Sequence, residues 1–293
     1  MKNLIIRTIS GLAFIIVMIG SILWGVLPYA IVMGLIIAAM MNEYINISTG
    51  KKFPVQKFLA ITAGLLFFAM LLLVQLHVAE WNLLLLPMVP LTLAFISNLY
   101  VKEFNNHNIS VEGDLKRRED NGFEKIPFIM SSILYIAVPM SLCNLIVLDD
   151  ASGSMEYSGW ILLSMFIILW ATDVGAYCLG STLGQRFGKR LFPSVSPKKS
   201  WIGFWGGMIC ATLAAVLLQI AEILPVSTCS AVGLGIIICI FGVWGDLVES
   251  QLKRNFGVKD SGSIMPGHGG MLDRFDGALT AFPMAVIYLK FFI

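Results

Sequence analysis

Residues 229–247, CSAVGLGIIICIFGVWGDL, form an apolar run with one acidic residue near its end. A helix of about 20 apolar residues crosses the hydrocarbon core of a bilayer, which is about 30 Å thick. A polar segment follows. Its last part, residues 259–276, reads KDSGSIMPGHGGMLDRFD, and another apolar run comes directly after it. The order apolar, polar, apolar predicts two transmembrane helices joined by a polar segment at the membrane surface.

The same alternation continues along the whole chain. Of its 293 residues, 57% are hydrophobic and 13% are charged, whereas about 25% are charged in an average soluble domain. Backbone groups in lipid must be hydrogen-bonded within their own segment, so the apolar runs are expected to be helices. The sequence predicts an all-α integral membrane protein, a polytopic bundle of about nine transmembrane helices, with spans near residues 8–24, 26–42, 58–76, 83–98, 127–148, 159–178, 202–224, 229–247 and 278–293.

The basic residues give this bundle an orientation. With nine spans, all but one of the 20 Lys and Arg residues fall on the side that holds the N-terminus. The exception, Lys290, lies near the far end of the last span, and a long Lys side chain can reach the interface from there. Segments rich in Lys and Arg face the cytoplasm, so we expect a cytoplasmic N-terminus and a cytoplasmic position for the polar segment.

Polar residues within the spans divide the chain into two regions. Residues 1–125 are expected to form N-terminal transmembrane helices and a cytoplasmic loop, and residues 126–293 a C-terminal catalytic region. In the second region Asp173 lies inside the sixth span and Asp246 at the end of the eighth. An ionisable residue at membrane depth indicates a functional site. The structural alternative is a carboxylate that pairs with a neighbouring Lys or Arg and locks two helices together.

Three carboxylates indicate a magnesium site. Asp273 and Asp276 are three residues apart at the start of the last span, and on a helix that spacing places both on one face. Together with Asp246 they would meet at the cytoplasmic membrane surface. Mg²⁺ is usually held by one or two carboxylates together with substrate phosphates, so the predicted cofactor is Mg²⁺, with a second cation left open.

Basic and small residues around these carboxylates indicate phosphate binding. Arg can hold a phosphate through two hydrogen bonds, whereas Lys acts as a point charge, and glycines let backbone N–H groups approach an anion. Such residues occur in two segments. They are Ser196, Lys198 and Lys199 in the first, and Lys253, Arg254, Lys259, Gly269, Gly270 and Arg274 in the second. Carboxylates beside cations predict phosphoryl or nucleotidyl transfer, which depends mostly on positioning and charge stabilisation.

Residues 250–276 resemble the signature of the phosphatidate cytidylyltransferases, also called CDP-diacylglycerol synthases. That signature is S-x-[LIVMF]-K-R-x4-K-D-x-[GSA]-x2-[LIF]-[PG]-x-H-G-G-[LIVMF]-x-D-R-[LIVMFT]-D, and here it reads SQLKRNFGVKDSGSIMPGHGGMLDRFD. The one departure is Met265, a replacement of similar volume. The segments DVGAY at 173–177 and SPKKS at 196–200 are also similar to this family, whereas the first 125 residues carry no diagnostic motif.

The resemblance implies that CTP and phosphatidic acid react to give CDP-diacylglycerol and pyrophosphate in phospholipid biosynthesis. It further implies a bacterial cytoplasmic (inner) membrane enzyme that uses Mg²⁺ and binds no nucleic acid. We expect Asp246, Asp273 and Asp276 to hold metal and to be catalytic together with Lys253. The expected substrate-binding residues are Asp173, Ser196, Lys198, Lys199, Ser250, Arg254, Lys259, His268, Gly269, Gly270 and Arg274. His268 either touches the substrate or shapes the turn, and a homodimer is left open.

Other functions would use similar residues. A CTP-dependent lipid kinase or an isoprenoid-lipid cytidylyltransferase needs the same carboxylates and cations, and the identity of the labelled lipid product distinguishes them. In a transporter, Asp173 and Asp246 would be coupling carboxylates. That class usually shows two repeated halves, and no such repeat is visible in the sequence.

Overall fold

The computed structural model describes residues 2–100, 122–149, 156–267 and 269–292. Within these ranges nine helical segments are long and apolar enough to cross a membrane, which confirms the predicted all-α bundle. Their bounds are Arg7–Trp24, Val26–Thr49, Pro54–Gln75, Trp81–Tyr100, Phe123–Leu145, Trp160–Phe187, Trp201–Ile220, Thr228–Asn255 and Leu272–Phe292.

Within residues 2–100 the structure shows four helices and two 3-10 turns. Gly50 ends the second helix in the left-handed conformation (φ 64°), and its N–H donates to the carbonyl of Asn46, as is common at helix C-termini. Pro54 begins the third helix at its first position, where a missing N–H costs nothing. The helices are α1 Lys2–Trp24, α2 Val26–Thr49, α3 Pro54–Gln75 and α4 Met88–Ser97, and the 3-10 turns are Trp81–Leu85 and Asn98–Tyr100.

The described residues from 122 onward contain the remaining spans and two short hairpins. The fifth span combines α5 Gly122–Ser132, a π-helical turn Ile133–Ala137, α6 Val138–Ser141 and a 3-10 turn Leu142–Leu145. Strands β1 Leu148–Asp149 and β2 Glu156–Tyr157 pair antiparallel, as do β3 Arg190–Phe192 and β4 Ser196–Ser200. The other helices are α7 Trp160–Leu179, the π-helical turn Gly180–Gly184, α8 Gln185–Phe187, α9 Trp201–Ile220, α10 Thr228–Asn255, α11 Leu272–Phe275 and α12 Ala278–Phe292.

Two of these elements differ from the sequence prediction in ways that matter for the site. The helix predicted to end at residue 247 continues to Asn255, so Ser250 and Lys253 are helical. The segment around Lys198 and Lys199, which lies between the sixth and seventh predicted spans, is a β-strand. Hydrophobicity marks only the part of a helix that contacts lipid or core, so a helix that continues into the polar region has no hydrophobic boundary to reveal its end.

Two hydrogen bonds show which segments share an end of the bundle. The Ser10 hydroxyl on α1 donates to the carbonyl of Pro266 in the polar segment (3.0 Å). Near the other end of α1, the Tyr157 hydroxyl donates to the carbonyl of Ile22 (2.6 Å). The N-terminal part of α1 and the polar segment therefore lie together, with residues 156–157 at the opposite end, as the partition of charge predicts.

An aromatic cluster places the end of the polar segment against α7. The Phe166 ring makes edge-to-face contacts with Phe275 (ring centroids 5.9 Å apart) and Phe282 (4.6 Å). All three rings are buried, and pairs in this geometry contribute about 0.5–1.5 kcal/mol beyond their buried area. Since Asp273 and Asp276 flank Phe275 in sequence, the cluster also fixes where these carboxylates lie relative to α7.

Helices α7 and α9 approach each other through small residues. A Cβ atom on Gly207 would lie 2.9 Å from the carbonyl oxygen of Thr172, and one on Gly203 would lie 3.0 Å from that of Ala176. Glycine allows such backbone approach between membrane helices. The close packing brings Asp173 of α7 next to the first turn of α9 and to the strand that precedes it.

Gly207→Ala is expected to destabilise the protein by about 1–3 kcal/mol, because the methyl group has no space beside the rigid carbonyl of Thr172. Thermal unfolding of the purified protein in detergent measures the effect. Gly20→Ala on α1 is the matched control, since nothing lies within 4 Å of its added Cβ. Equal unfolding temperatures for the two variants would contradict the close packing.

Candidate active site

A cavity of about 330 Å³ opens between α7, α9, α10 and the β3–β4 hairpin. Small-molecule sites typically have volumes of about 300–1,000 Å³. Apolar side chains and glycines form most of its wall, and its charged residues are Asp173, Lys198, Lys199 and Asp246. Four residues that the sequence predicts for the site therefore share one cavity, although they come from three separate elements.

Lys199 and Asp246 form an ion pair across this cavity. The Lys199 Nζ atom lies 2.5 Å from Asp246 Oδ2, and both side chains are partly exposed, at 26% and 37%. The Ser250 hydroxyl, one helical turn further along α10, donates to Asp246 Oδ1 (3.2 Å). An ion pair that is partly open to solvent is worth only about 0–1 kcal/mol, so an incoming anion can compete with Asp246 for Lys199.

Local structure places Lys198 and Lys199 at the cavity. Both lie near the end of β4, which pairs with β3, and the strand leads directly into α9. Ser200 ends the strand and caps α9, because its hydroxyl accepts a hydrogen bond from the N–H of Gly203 (3.1 Å). The cap fixes the turn between strand and helix, and that turn sets the position of the two lysines before it.

Further charged groups surround the Asp246 carboxylate. Asp173 interacts electrostatically with Asp246, Lys199 and Arg274. Asp276 interacts with Asp246, Glu249 and Asp173. Carboxylates this close repel one another and favour the binding of cations. The structure thus brings three predicted residues, Asp173, Asp246 and Asp276, into one region beside the cavity, together with the cations Lys199 and Arg274.

A second cluster, centred on Lys253, lies along α10 from the cavity. The Lys253 Nζ atom is 2.6 Å from Asp273 Oδ1 and 2.5 Å from Glu249 Oε2, and the Glu249 side chain is fully buried. Asp273 Oδ2 accepts hydrogen bonds from the N–H groups of Ser261 (3.0 Å) and Gly270 (2.8 Å). Lys253 and Asp273 therefore connect α10 to both ends of the glycine-rich part of the polar segment.

Sequence reasoning missed two acidic residues of this region. Glu249 follows Asp246 by three residues, so the two share a face of a helix, which the length of α10 makes possible. Glu43 on α2 is 4% exposed. Its carboxylate accepts hydrogen bonds from the N–H groups of Met271 (3.0 Å) and Leu272 (2.9 Å). An acidic residue directly after the second predicted span was the available signal.

The remaining predicted residues occupy different positions. Ser196 begins β4 opposite Phe192, outside the wall of the cavity. Arg254 and Lys259 are exposed. Gly269 adopts a φ of 85°, a conformation that favours glycine, and its carbonyl accepts from the N–H of Met265. His268 lies outside the described residues, so the prediction about its role stays untested.

The carboxylates differ in their capacity to hold Mg²⁺. A carboxylate offers about four acceptor positions. Asp273 already uses three, for Lys253, Ser261 and Gly270, whereas Asp276 is recorded with one, for the N–H of Gly277. In the described part of the chain, no group of three or more His, Cys, Asp or Glu side chains is arranged to hold a metal. Asp246 accepts from Lys199 and Ser250, so it and Asp276 retain more acceptor positions than Asp273 does. All three carboxylates stay predicted ligands of an ion that needs one or two carboxylates.

Similar proteins are found among curated sequences from bacteria. The phosphatidate cytidylyltransferase of Bacillus subtilis (strain 168) is 36% identical over 170 residues, which cover 58% of this chain and 60% of the relative. That of Staphylococcus epidermidis is 37% identical over 167 residues, covering 57% of this chain and 60% of the relative. The matched part thus spans 60% of the length of these relatives.

A family comparison extends over more of the chain. Residues 5–292 match the sequence profile described as the cytidylyltransferase family. The match includes nearly all of α1, all of α2, and the residues of the cavity and the polar segment. The chain therefore belongs to the cytidylyltransferase family.

Proposed function

We propose that the protein is a phosphatidate cytidylyltransferase, which transfers the cytidylyl group of CTP to phosphatidic acid and releases pyrophosphate. The observation that carries the proposal is the cavity, in which Lys198 and Lys199 face Asp173 and Asp246. Family membership supports transfer of a cytidylyl group. The names of the relatives support phosphatidate as the acceptor.

The cations of the cavity suit a triphosphate. CTP carries several negative charges, and Lys198 and Lys199 lie on adjacent positions of β4. Because the Lys199–Asp246 pair is partly exposed, phosphate oxygens can replace Asp246 as partners of Lys199 at small cost. The apolar remainder of the wall lowers the local dielectric constant around the triphosphate, which strengthens each of these charge interactions.

The reaction needs positioning more than proton transfer. An oxygen of the phosphatidate phosphate attacks the α-phosphorus of CTP, the bond from that phosphorus to the bridging oxygen of the β-phosphate breaks, and pyrophosphate departs with the electron pair. The nucleophile is already an anion, so no general base is required. Lysine side chains that hold the phosphates reduce the repulsion between two anionic substrates and stabilise the departing charge.

We propose that Asp246 and Asp276 would hold Mg²⁺, with Asp273 as the third predicted carboxylate. When bound, the ion would neutralise phosphate charge that the lysines do not reach. The mutual repulsion of the carboxylates around Asp246 supports this assignment, because a divalent cation relieves it.

The membrane setting fits the acceptor. Phosphatidic acid presents its phosphate at the bilayer surface, and the nine apolar helices indicate that the protein lies in the same bilayer. We propose that the cavity faces the cytoplasm of a bacterial inner membrane, because the basic residues on its side follow the positive-inside pattern. Whether the chain acts alone or as a homodimer stays a prediction to be tested by its mass in detergent.

Cytidylyl transfer is tested with purified protein, Mg²⁺ and CTP labelled in its cytidine. We expect label in the lipid fraction with phosphatidate as acceptor, because the proposed reaction keeps the cytidylyl group on the lipid. A kinase would leave the lipid unlabelled, and preference for an isoprenoid phosphate would identify a different cytidylyltransferase. Uptake into proteoliposomes without CTP turnover would indicate a transporter and contradict the proposal.

Lys199→Met is expected to lower kcat/KM for CTP by about 10- to 100-fold, since a charge-assisted hydrogen bond contributes about 1.5–3 kcal/mol. Lys189→Met provides the matched control, because Lys189 is an exposed cation beside the same hairpin and outside the wall of the cavity. Equal effects of the two substitutions would show that only the net charge of the hairpin matters.

Asp246→Asn is expected to raise the Mg²⁺ concentration needed for half-maximal turnover by about tenfold or more, as loss of a metal partner commonly does. Asp273→Asn is measured in parallel and is expected to do the same if Asp273 is a ligand. Near-normal turnover of Asp273→Asn across the Mg²⁺ titration would remove Asp273 from the ligand set and leave it with the contacts described above.

A further inference from the structure

The buried side chain of Glu43 on α2 makes three hydrogen bonds to the polar segment. Its carboxylate accepts hydrogen bonds from the N–H groups of Met271 and Leu272 and from the Ser261 hydroxyl (3.0 Å). The same Ser261 hydroxyl accepts from the N–H of Asp273 (3.3 Å). One buried side chain of the N-terminal half thus binds both ends of the glycine-rich segment that carries the signature.

The segment also fits closely around Glu43. A Cβ atom on Gly262 would lie 2.7 Å from Glu43 Cδ, and one on Gly270 would lie 2.6 Å from the backbone nitrogen of Gly262. A side chain at either position would clash with Glu43 or with the backbone of the segment. The signature allows only Gly, Ser or Ala at residue 262 and only Gly at residue 270, and the approach of Glu43 gives a physical reason for both restrictions.

Helix α1 holds the middle of the same segment. Ser10 donates to the Pro266 carbonyl, and a Cβ atom added to Gly267 would meet the aliphatic part of Arg7. The two N-terminal helices therefore contact the segment at its beginning, middle and end. Among the described side chains of these two helices, none lines the wall of the cavity, so Glu43 does not touch a substrate bound there.

We propose that Glu43 is a positioning residue, which fixes residues 261–272 so that Asp273 and Asp276 face the carboxylates of α10. The consequence for the reaction rests on the proposed function. Glu43 binds the backbone N–H groups of the two residues that precede Asp273, and Asp273 in turn binds Lys253. Loss of Glu43 frees the N–H groups of Met271 and Leu272 and lets the start of α11 shift, which moves both aspartates away from the cavity.

Glu43→Gln tests this role at constant side-chain size, because its amide group cannot accept from all three donors at once. We expect kcat to fall at least about tenfold while KM for CTP changes less than about threefold, since the residues that bind CTP lie on other elements. Glu43→Asp retains the carboxylate on a shorter chain and is expected to restore part of kcat.

Thr49→Val is the matched control. Thr49 is also buried on α2, and its hydroxyl donates only to the carbonyl of Ile45 within the helix (2.7 Å). We expect turnover and unfolding temperature close to those of the unmodified protein. A fall in kcat with Thr49→Val as large as that with Glu43→Gln would show a general effect of disturbing α2 and overturn the proposal.

Ser261→Ala removes the hydroxyl that donates to Glu43. It tests the same contact in a second variant, in case the Glu43 variant does not fold. It is expected to lower kcat by less than Glu43→Gln, and the double variant is expected to lose little more than Glu43→Gln alone, because both changes remove the same contact. Fully multiplicative losses would mean that the two residues act independently, which contradicts the proposal.

Hydrogen exchange separates this inference from the proposed function. Glu43→Gln should accelerate exchange in the peptide that contains Met271 and Leu272, and Thr49→Val should not. Unchanged exchange, or faster exchange with kcat within about twofold of the unmodified protein, would overturn the positioning role. Absence of cytidylyl transfer by the unmodified protein would instead count against the proposed function, and the exchange measurement would still report whether Glu43 holds the segment.

Discussion

The polar end of the protein depends on Lys253, whose ammonium group lies between the fully buried carboxylate of Glu249 and that of Asp273. A buried charge without a partner is costly, and removing one member of a buried pair typically destabilises a protein by about 3–5 kcal/mol. Glu249 and Lys253 are one turn apart on α10, so the pair forms within the helix. Asp273 joins it from outside, which ties the polar segment to α10.

The Lys253–Asp273 ion pair leaves other charged residues accessible to a ligand. Lys253 and Asp273 form an ion pair, and Asp273 also accepts hydrogen bonds from the backbone of the polar segment. In contrast, the side chains of Lys199 and Asp246 are partly exposed at the cavity. The protein thus contains two sets of charged residues with different properties. The closed set around Lys253 connects α10 to the polar segment, and the open set around Lys199 and Asp246 is accessible to the proposed anionic substrate.

Much of this could be predicted from the sequence. The apolar runs gave the number of spans because a bilayer admits only helices of sufficient length, and the spacing of polar residues in 250–276 indicated the family. Asp173, Lys198, Lys199 and Asp246 were predicted for the site and line one cavity. Their residue types identify them, since carboxylates and cations next to apolar spans are costly unless they serve a site.

The remainder depends on tertiary contacts that a single sequence does not display. Asp273 and Asp276 were expected on one continuous helix, but α11 ends at Phe275 and α12 begins at Ala278. The break allows Gly277 to pack against Gly242, where an added Cβ would lie 3.2 Å from the Gly242 carbonyl oxygen. Glu43 is separated from its partners by more than 200 residues, so no local pattern links it to them.

The most direct test of the account is a structure of the protein with CTP and Mg²⁺ bound. The account predicts that the triphosphate lies in the cavity against Lys198 and Lys199, that Lys199 has left Asp246, and that the ion contacts Asp246. A triphosphate bound outside this cavity, with the Lys199–Asp246 pair intact, would contradict it.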